Sequence, residues 1–466
     1  MRTYDFSKRG NLKLYEYLYE CLKKDILAGQ IRAGEKLPSK REMASMHAVS
    51  VKTVENAYSQ LLAEGYLEAE EKRGYFAAKV ELTDCHRVPA PVPEESGGTY
   101  KQEEWFADFT SSNTVYAKFP FSQWSKVMRE TLSYRDAELL ATAPFQGVYA
   151  LRKAIADYLY RNRGMRVSPD CILIGAGTEY LYGRLLGLLS EEHIYAVEDP
   201  GYRKIAKIYE GQGAECRYIP VDAEGIRVEE LEKSGAGVVH VSPGYHFPLG
   251  IVMPIARRQA LLAWAAGTPD RYIIEDDYDC EFRYSGRPIP SIQSMDSHHR
   301  VIYMNTFSKT LAPSLRISYM VLPTKLMDRY VQKMNYYSNT VSNFEQYALA
   351  SFIEQGYFER HISRMRKYYR EYRDKIRRML KESGMPIVGM SGDDAGTRIL
   401  VKLDTALTDT QVKWAAGEAG IRLECLSEFC RNVRPGYEHI MILNFADMRE
   451  EILREAISRL AHIFIC

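Results

Sequence analysis

Thr306-Phe307-Ser308-Lys309-Thr310-Leu311-Ala312-Pro313-Ser314-Leu315-Arg316 follows directly on an apolar run, Arg300–Asn305, that reads as a buried strand. A strand ending in such a turn delivers Lys309 to the carboxyl edge of a sheet, where open α/β folds bind their ligands. Thr306, Ser308 and Arg316 add hydroxyls and a fixed positive charge suited to a phosphate. A lone lysine after a strand is usually a surface residue, so this reading depends on its surroundings.

Those surroundings repeat the pattern. Ile273-Ile274-Glu275-Asp276-Asp277-Tyr278 ends a second apolar run in carboxylates, and Gly175-Ala176-Gly177-Thr178-Glu179 opens a helix straight after a third. A pyridoxal 5'-phosphate (PLP) site needs a lysine for the aldehyde, a carboxylate for the pyridine nitrogen and a helix N-terminus for the phosphate. Lys309, Asp276 and the turn Gly175–Thr178 supply all three in order. Asp277 and Asp279 read as solvated or capping carboxylates. Elsewhere short β-rich runs (Cys171–Ile174, Ile194–Glu198, Gly237–Ser242, Tyr272–Glu275, Arg300–Asn305) alternate with helical patterns (Thr178–Leu189, Tyr202–Glu210). Such alternation predicts an α/β fold with a parallel or mostly parallel sheet. The amphipathic stretch Phe358–Glu382 predicts a helix leading into a smaller α/β subdomain.

The first 78 residues read differently. Leu14, Leu18, Leu22 and Ile26, four apart, predict a helix over about Leu12–Ala28, which Gly29 stops. Ser39 and Glu42 have capping-box spacing and start a second helix, Lys40 to Met46. A third follows over Val51–Glu64, with Val54, Tyr58, Leu61 and Leu62 inward and Gly65 as its stop. Tyr66–Glu68 and Tyr75–Ala77 flank a polar turn, as in a hairpin wing. Ser50, Lys52, Thr53 and Asn56 then lie where a helix-turn-helix meets base edges. Ser39, Lys40 and Arg41 begin the second helix, and Lys72 and Arg73 occupy the wing tip, positions suited to phosphates. Residues 1–80 carry fourteen Lys and Arg against eleven Asp and Glu, a net of +3, so arrangement carries this reading more than charge. Solvated charges on a small helical oligomerisation module are the alternative.

The whole 466-residue chain has a net charge of +1, which points to neither nucleic acid nor membrane as a global partner. No apolar stretch reaches the ~18 residues a membrane span requires, and the charged Met1–Gly10 does not read as a secretory signal. Eight scattered cysteines without CxxC or metal-ligand spacing predict reduced thiols and no metal, in a cytoplasmic protein. Pro89, Pro91, Pro93, Gly97 and Gly98 mark a linker. The expected organisation is 1–78, a linker over 79–104, and 105–466.

Gly34–Ala44, Val49–Val54 and Ala57–Leu67 resemble the GntR family of winged-helix regulators. Glu198–Tyr202, Glu275–Tyr284 and Thr306–Tyr319 resemble fold-type I aminotransferases, and the full chain resembles the MocR/GabR-type subfamily that fuses the two. That resemblance implies a Schiff base from Lys309 to PLP, with Asp276 on the ring nitrogen and Tyr278 on the ring hydroxyl. Tyr202 would stack on the ring, and Gly177, Thr178, Thr306, Ser308 and Arg316 would hold the phosphate. It also implies a homodimer, and two DNA readers on a dimer favour an operator with paired half-sites.

Two departures bear on activity. Aminotransferases of this kind carry an Asn-Pro-x-Gly turn, and here it reads Phe247-Pro248-Leu249-Gly250. They also place an Arg before a Phe-Ala pair to clamp a substrate carboxylate, and this chain has Ile442 before Leu443-Asn444-Phe445-Ala446; Arg431 or Arg434 are the alternatives for that role. The expected function is a PLP-dependent, DNA-binding transcriptional regulator that senses an amine, an amino acid or PLP itself. A working aminotransferase, or a DNA-binding protein on a cofactor-free scaffold, are the other readings.

Overall fold

The computed structural model describes residues 3–80, 104–111, 115–189, 193–284, 289–392 and 394–465. The chain divides into two compact units, Met1–Glu103 and Glu104–Cys466. Of the linker expected over 79–104, residues 81–103 lie outside the described residues.

The first unit packs helices Leu14–Leu27, Lys40–Met46 and Val51–Ala63 around Leu18, Leu22, Val54, Tyr58 and Leu61, each at most 1% exposed. The first helix begins two residues later than its apolar spacing suggests. Glu16 accepts the Lys13 backbone N–H at 2.9 Å and fixes the start there, leaving Leu12 exposed. Ser39 and Glu42 form the expected reciprocal cap on the second helix. Strands Leu67–Glu70 and Gly74–Ala77 make the hairpin wing. The two-residue strand Lys36–Leu37, too short for sequence periodicity, adds a third on its inner edge.

The second unit is built on eight strands in the order Ile172–Ala176, Ile317–Val321, Val301–Thr306, Tyr272–Asp276, Val238–Val241, Tyr195–Asp199, Cys216–Asp222 and Gly225–Ile226. The central pairs are parallel. Ile317–Val321 is antiparallel to both neighbours. The tight turn carrying Lys309 leaves no room for the crossover a parallel return requires. Apolar side chains cover both faces, with Leu181, Leu185 and Tyr209 in one cluster and Leu261, Trp264 and Ile292 in another. Helix Tyr357–Glu382 leads to a smaller antiparallel sheet ordered Ile387–Ser391, Arg398–Leu403, Ile440–Asn444 and Glu424–Cys425. Among the described residues no helix is long and apolar enough to cross a membrane.

Candidate cofactor site and DNA-reading face

Three strand ends of the large sheet converge on one cavity of about 260 Å³, lined by Lys309, Asp276, Tyr278, Tyr202, Thr178, Thr306, Ser308 and Arg316. Gly177 completes the set indirectly. It has φ +92°, and a Cβ built there would run into the Arg316 guanidinium, so only glycine permits this approach. Burial first, and then the positive charge of Arg398, bring the Lys309 ammonium down from its ordinary 10.5 to about 8.

Asp276 is held from behind. Its Oδ2 accepts from the Tyr182 hydroxyl at 2.5 Å, and His240 Nε2 stands 3.4 Å from the same oxygen. His240 in turn meets the Tyr209 hydroxyl at 2.7 Å through Nδ1. The other oxygen, Oδ1, is buried without a hydrogen-bond partner, as are the Tyr278 hydroxyl and Ser308 Oγ. Each such buried group costs about 1–3 kcal/mol if nothing meets it. Three of them around one cavity beside a lysine fit a ligand that offers a protonated ring nitrogen, a ring hydroxyl and a phosphate. Tyr202 is 49% exposed at the mouth, its ring 5.6 Å from that of Phe247 and edge-on to it.

Asp277 and Asp279 are not solvated, as their sequence position suggested. Asp277 is 2% exposed, ion-paired with the buried Arg163 and accepting from Tyr303 at 3.1 Å. Asp279 is 4% exposed and lies 3.5 Å from Arg398 Nη1. Arg431 and Arg434 do not line the cavity. The Arg431 backbone N–H bonds Asp199 at 2.7 Å and the Arg434 side chain lies 3.7 Å from the same carboxylate. Sequence reasoning missed Arg398, Tyr182 and His240, because register and packing across distant elements bring them here. Among the described residues no group of His, Cys, Asp and Glu has metal-binding geometry.

In the first unit Arg41, Lys52, Asn56, Lys72 and Arg73 are exposed, with Thr53 and Lys40 half-buried. Ser39 and Ser50 spend their hydroxyls on capping. Lys40 and Lys52 both pair with Glu55, at 3.1 and 3.0 Å, and Arg73 pairs with Glu70. Lys40 also lies 5.6 Å above the Tyr75 ring.

Two family patterns cover the described units. Residues 14–76 match the bacterial regulatory proteins of the gntR family, and residues 108–460 match aminotransferase class I and II. An uncharacterized HTH-type transcriptional regulator of Bacillus subtilis, YdeL, is 38% identical over 97% of this chain and 96% of its own. The probable rhizopine catabolism regulatory protein MocR of Rhizobium meliloti is 32% identical over 98% and 94%. Among solved structures, the kynurenine aminotransferase of Pyrococcus horikoshii superposes with a TM-score of 0.68 at 27% identity, covering 78% of this chain and 91% of that one. The chain therefore belongs to the MocR-type HTH transcriptional regulators, in which a GntR DNA-binding unit is fused to a class I/II aminotransferase domain. That domain implies pyridoxal 5'-phosphate, and the unpartnered Asp276 Oδ1, Tyr278 hydroxyl and Ser308 Oγ around Lys309 fit it.

Proposed function

We propose that this chain binds an operator through residues 1–78 and reports to it the presence of a small amine, an amino acid or PLP itself, detected in the Lys309 cavity. The observation that carries this reading is the convergence of Lys309, Asp276 Oδ1, the Tyr278 hydroxyl and Ser308 Oγ on one cavity of a DNA-reading chain. PLP supplies an aldehyde that condenses reversibly with primary amines. Lys309 presents an amine whose lowered pKa leaves a useful neutral fraction near neutral pH. Asp276, backed by Tyr182 and His240, holds a proton at the ring nitrogen, and Tyr278 donates to the ring hydroxyl. Gly177, Thr178, Thr306, Ser308 and Arg316 fix the phosphate, and Tyr202 covers the ring. An amine that competes with Lys309 changes which groups in the cavity are satisfied. It shifts DNA affinity only as far as it favours one state of the protein over another.

We further assign Arg41, Lys52, Thr53, Asn56, Lys72 and Arg73 to DNA contact, with Ser39, Lys40 and Ser50 at the same face. The working form is a cytoplasmic homodimer reading paired half-sites. The test is the visible spectrum of the chain purified with PLP, wild type beside Lys309→Ala, before and after borohydride. The expected result is a lysine-dependent band fixed by reduction, followed by amine-dependent DNA affinity in the wild type alone. A wild type without the band overturns the reading, and rapid turnover with 2-oxoglutarate would replace it with that of an aminotransferase.

A further inference from the structure

Arg398 enters the Lys309 cavity from the smaller sheet. Its side chain is 11% exposed, and its Nη1 is buried without a hydrogen bond. One carboxylate faces it, Asp279 Oδ2, at 3.5 Å, an ion-pair distance but not a hydrogen bond. A guanidinium is a planar fork of five donors, so this one, which lines the cavity, retains donors without a hydrogen bond there. Its plane is supported by Phe247, whose ring centroid lies 4.6 Å from Cζ.

Strand register explains why the group is there. In the antiparallel pair Arg398–Leu403 and Ile440–Asn444, Leu400 faces Ile442 and Arg398 faces Asn444. Side-chain alternation places Arg398 on the same face as Ile442, one residue pair (about 7 Å) along the ladder. Ile442 itself packs with Leu400 and Leu426 in a small apolar cluster. Its position makes no ionic contact, and the neighbouring strand supplies a guanidinium to the same face instead. Phe247, which cannot form the hydrogen bond of an asparagine at that turn, gives the guanidinium an aromatic seat.

We propose that Arg398, seated on Phe247, is the carboxylate clamp of this chain, so that its effector is an amino acid: a primary amine that also bears a carboxylate. This rests on the reading that Lys309 holds PLP. Asp279 keeps the guanidinium in the cavity, and the incoming carboxylate takes the donors Asp279 leaves unfilled. Neither a simple amine nor PLP alone makes that contact.

Aminooxyacetate and methoxyamine test it on the PLP-loaded full chain. Both condense with the cofactor aldehyde, displacing the Lys309 amine with a change in visible absorption, and only the first carries a carboxylate. The concentration ratio for half-conversion therefore reads the carboxylate contact and cancels the shared condensation. The wild type is expected to prefer aminooxyacetate by about tenfold to a hundredfold, the range for charge-assisted hydrogen bonds. Arg398→Gln is expected to bring the ratio close to one. Because that change strands the buried Asp279 charge, the double variant Arg398→Gln/Asp279→Asn removes both charges and is expected to give the same ratio. A preference that survives in either folded variant overturns the clamp and leaves the PLP reading standing. A wild type with no lysine-dependent band overturns both.

Discussion

Tyr182 donates to Asp276 Oδ2 at 2.5 Å across 94 positions of sequence, while the other oxygen of that carboxylate, Oδ1, is buried without a hydrogen-bond partner. A hydrogen bond to a charged group contributes about 1.5–3 kcal/mol. Tyr182→Phe is expected to weaken PLP binding by about tenfold while retaining the visible band. Asp276→Asn removes the charge itself and is expected to cost more, and to shift the band. Equilibrium titration of cofactor-stripped protein checks both. Equal affinity in wild type and Tyr182→Phe would show that Asp276 does not depend on its support.

Lys309 titrates near 8, first because it is buried and second because Arg398 repels its proton. The neutral amine is the form that attacks an aldehyde, so cofactor capture by stripped protein should accelerate as pH rises, level off above about 8, and show no further rise toward 10.5. At pH 7 about one molecule in ten carries the neutral amine, against about one in three thousand for an unperturbed lysine. Arg398→Gln removes the repulsion and is expected to move the midpoint upward. Stopped-flow capture rates across pH settle this, and a midpoint at the ordinary lysine value would refute the effect of burial.

Local pattern carried most of the architecture. Lys309, Asp276 and Gly177 sit at or just beyond the ends of buried strands, a signature confined to about ten residues each, and the three early helices are marked by caps and four-residue spacing. What was illegible depends on register. Arg398 opens the strand Arg398–Leu403 ahead of three apolar residues, and nothing local marks it until its pairing with Asn444 sets its face. Tyr182 reads as one more buried residue of an amphipathic helix, and His240 as a strand residue. Asp277 looks solvated in a run of acids because its partner, Arg163, lies 114 positions away. Glu55 looks incidental on the third helix because nothing local shows that it gathers both Lys40 and Lys52.

Arg163 and Asp277 form a buried ion pair directly after the strand that ends in Asp276. Removing one partner leaves an uncompensated buried charge, worth about 3–5 kcal/mol. Arg163→Met is therefore expected to destabilise the unit spanning 104–466 by that amount and to loosen the cofactor only as a consequence. The double variant Arg163→Met/Asp277→Asn should recover most of the loss, since neither charge remains. Thermal and denaturant unfolding of the full chain compare the three. A single variant as stable as wild type would mean that Asp277 is satisfied by Tyr303 alone.

Glu55 pairs with both Lys40 and Lys52, at 3.1 and 3.0 Å, on the face proposed to read DNA. Each lysine that reaches a phosphate releases a counterion and steepens the salt dependence of binding by about 0.9 in log–log slope. Lys72→Ala and Arg41→Ala, which remove exposed charges, are each expected to weaken binding across all sequences and lower the slope by about one. Glu55→Gln should do the reverse, raising affinity at low salt and steepening the slope, since it frees Lys52 for the backbone. Lys40 should respond less, because its contact with the Tyr75 ring persists. Operator and random duplexes titrated at several salt concentrations separate these outcomes. If Glu55→Gln weakens binding to both duplexes equally, Glu55 orients the lysines toward DNA, and its pairing is part of the reader.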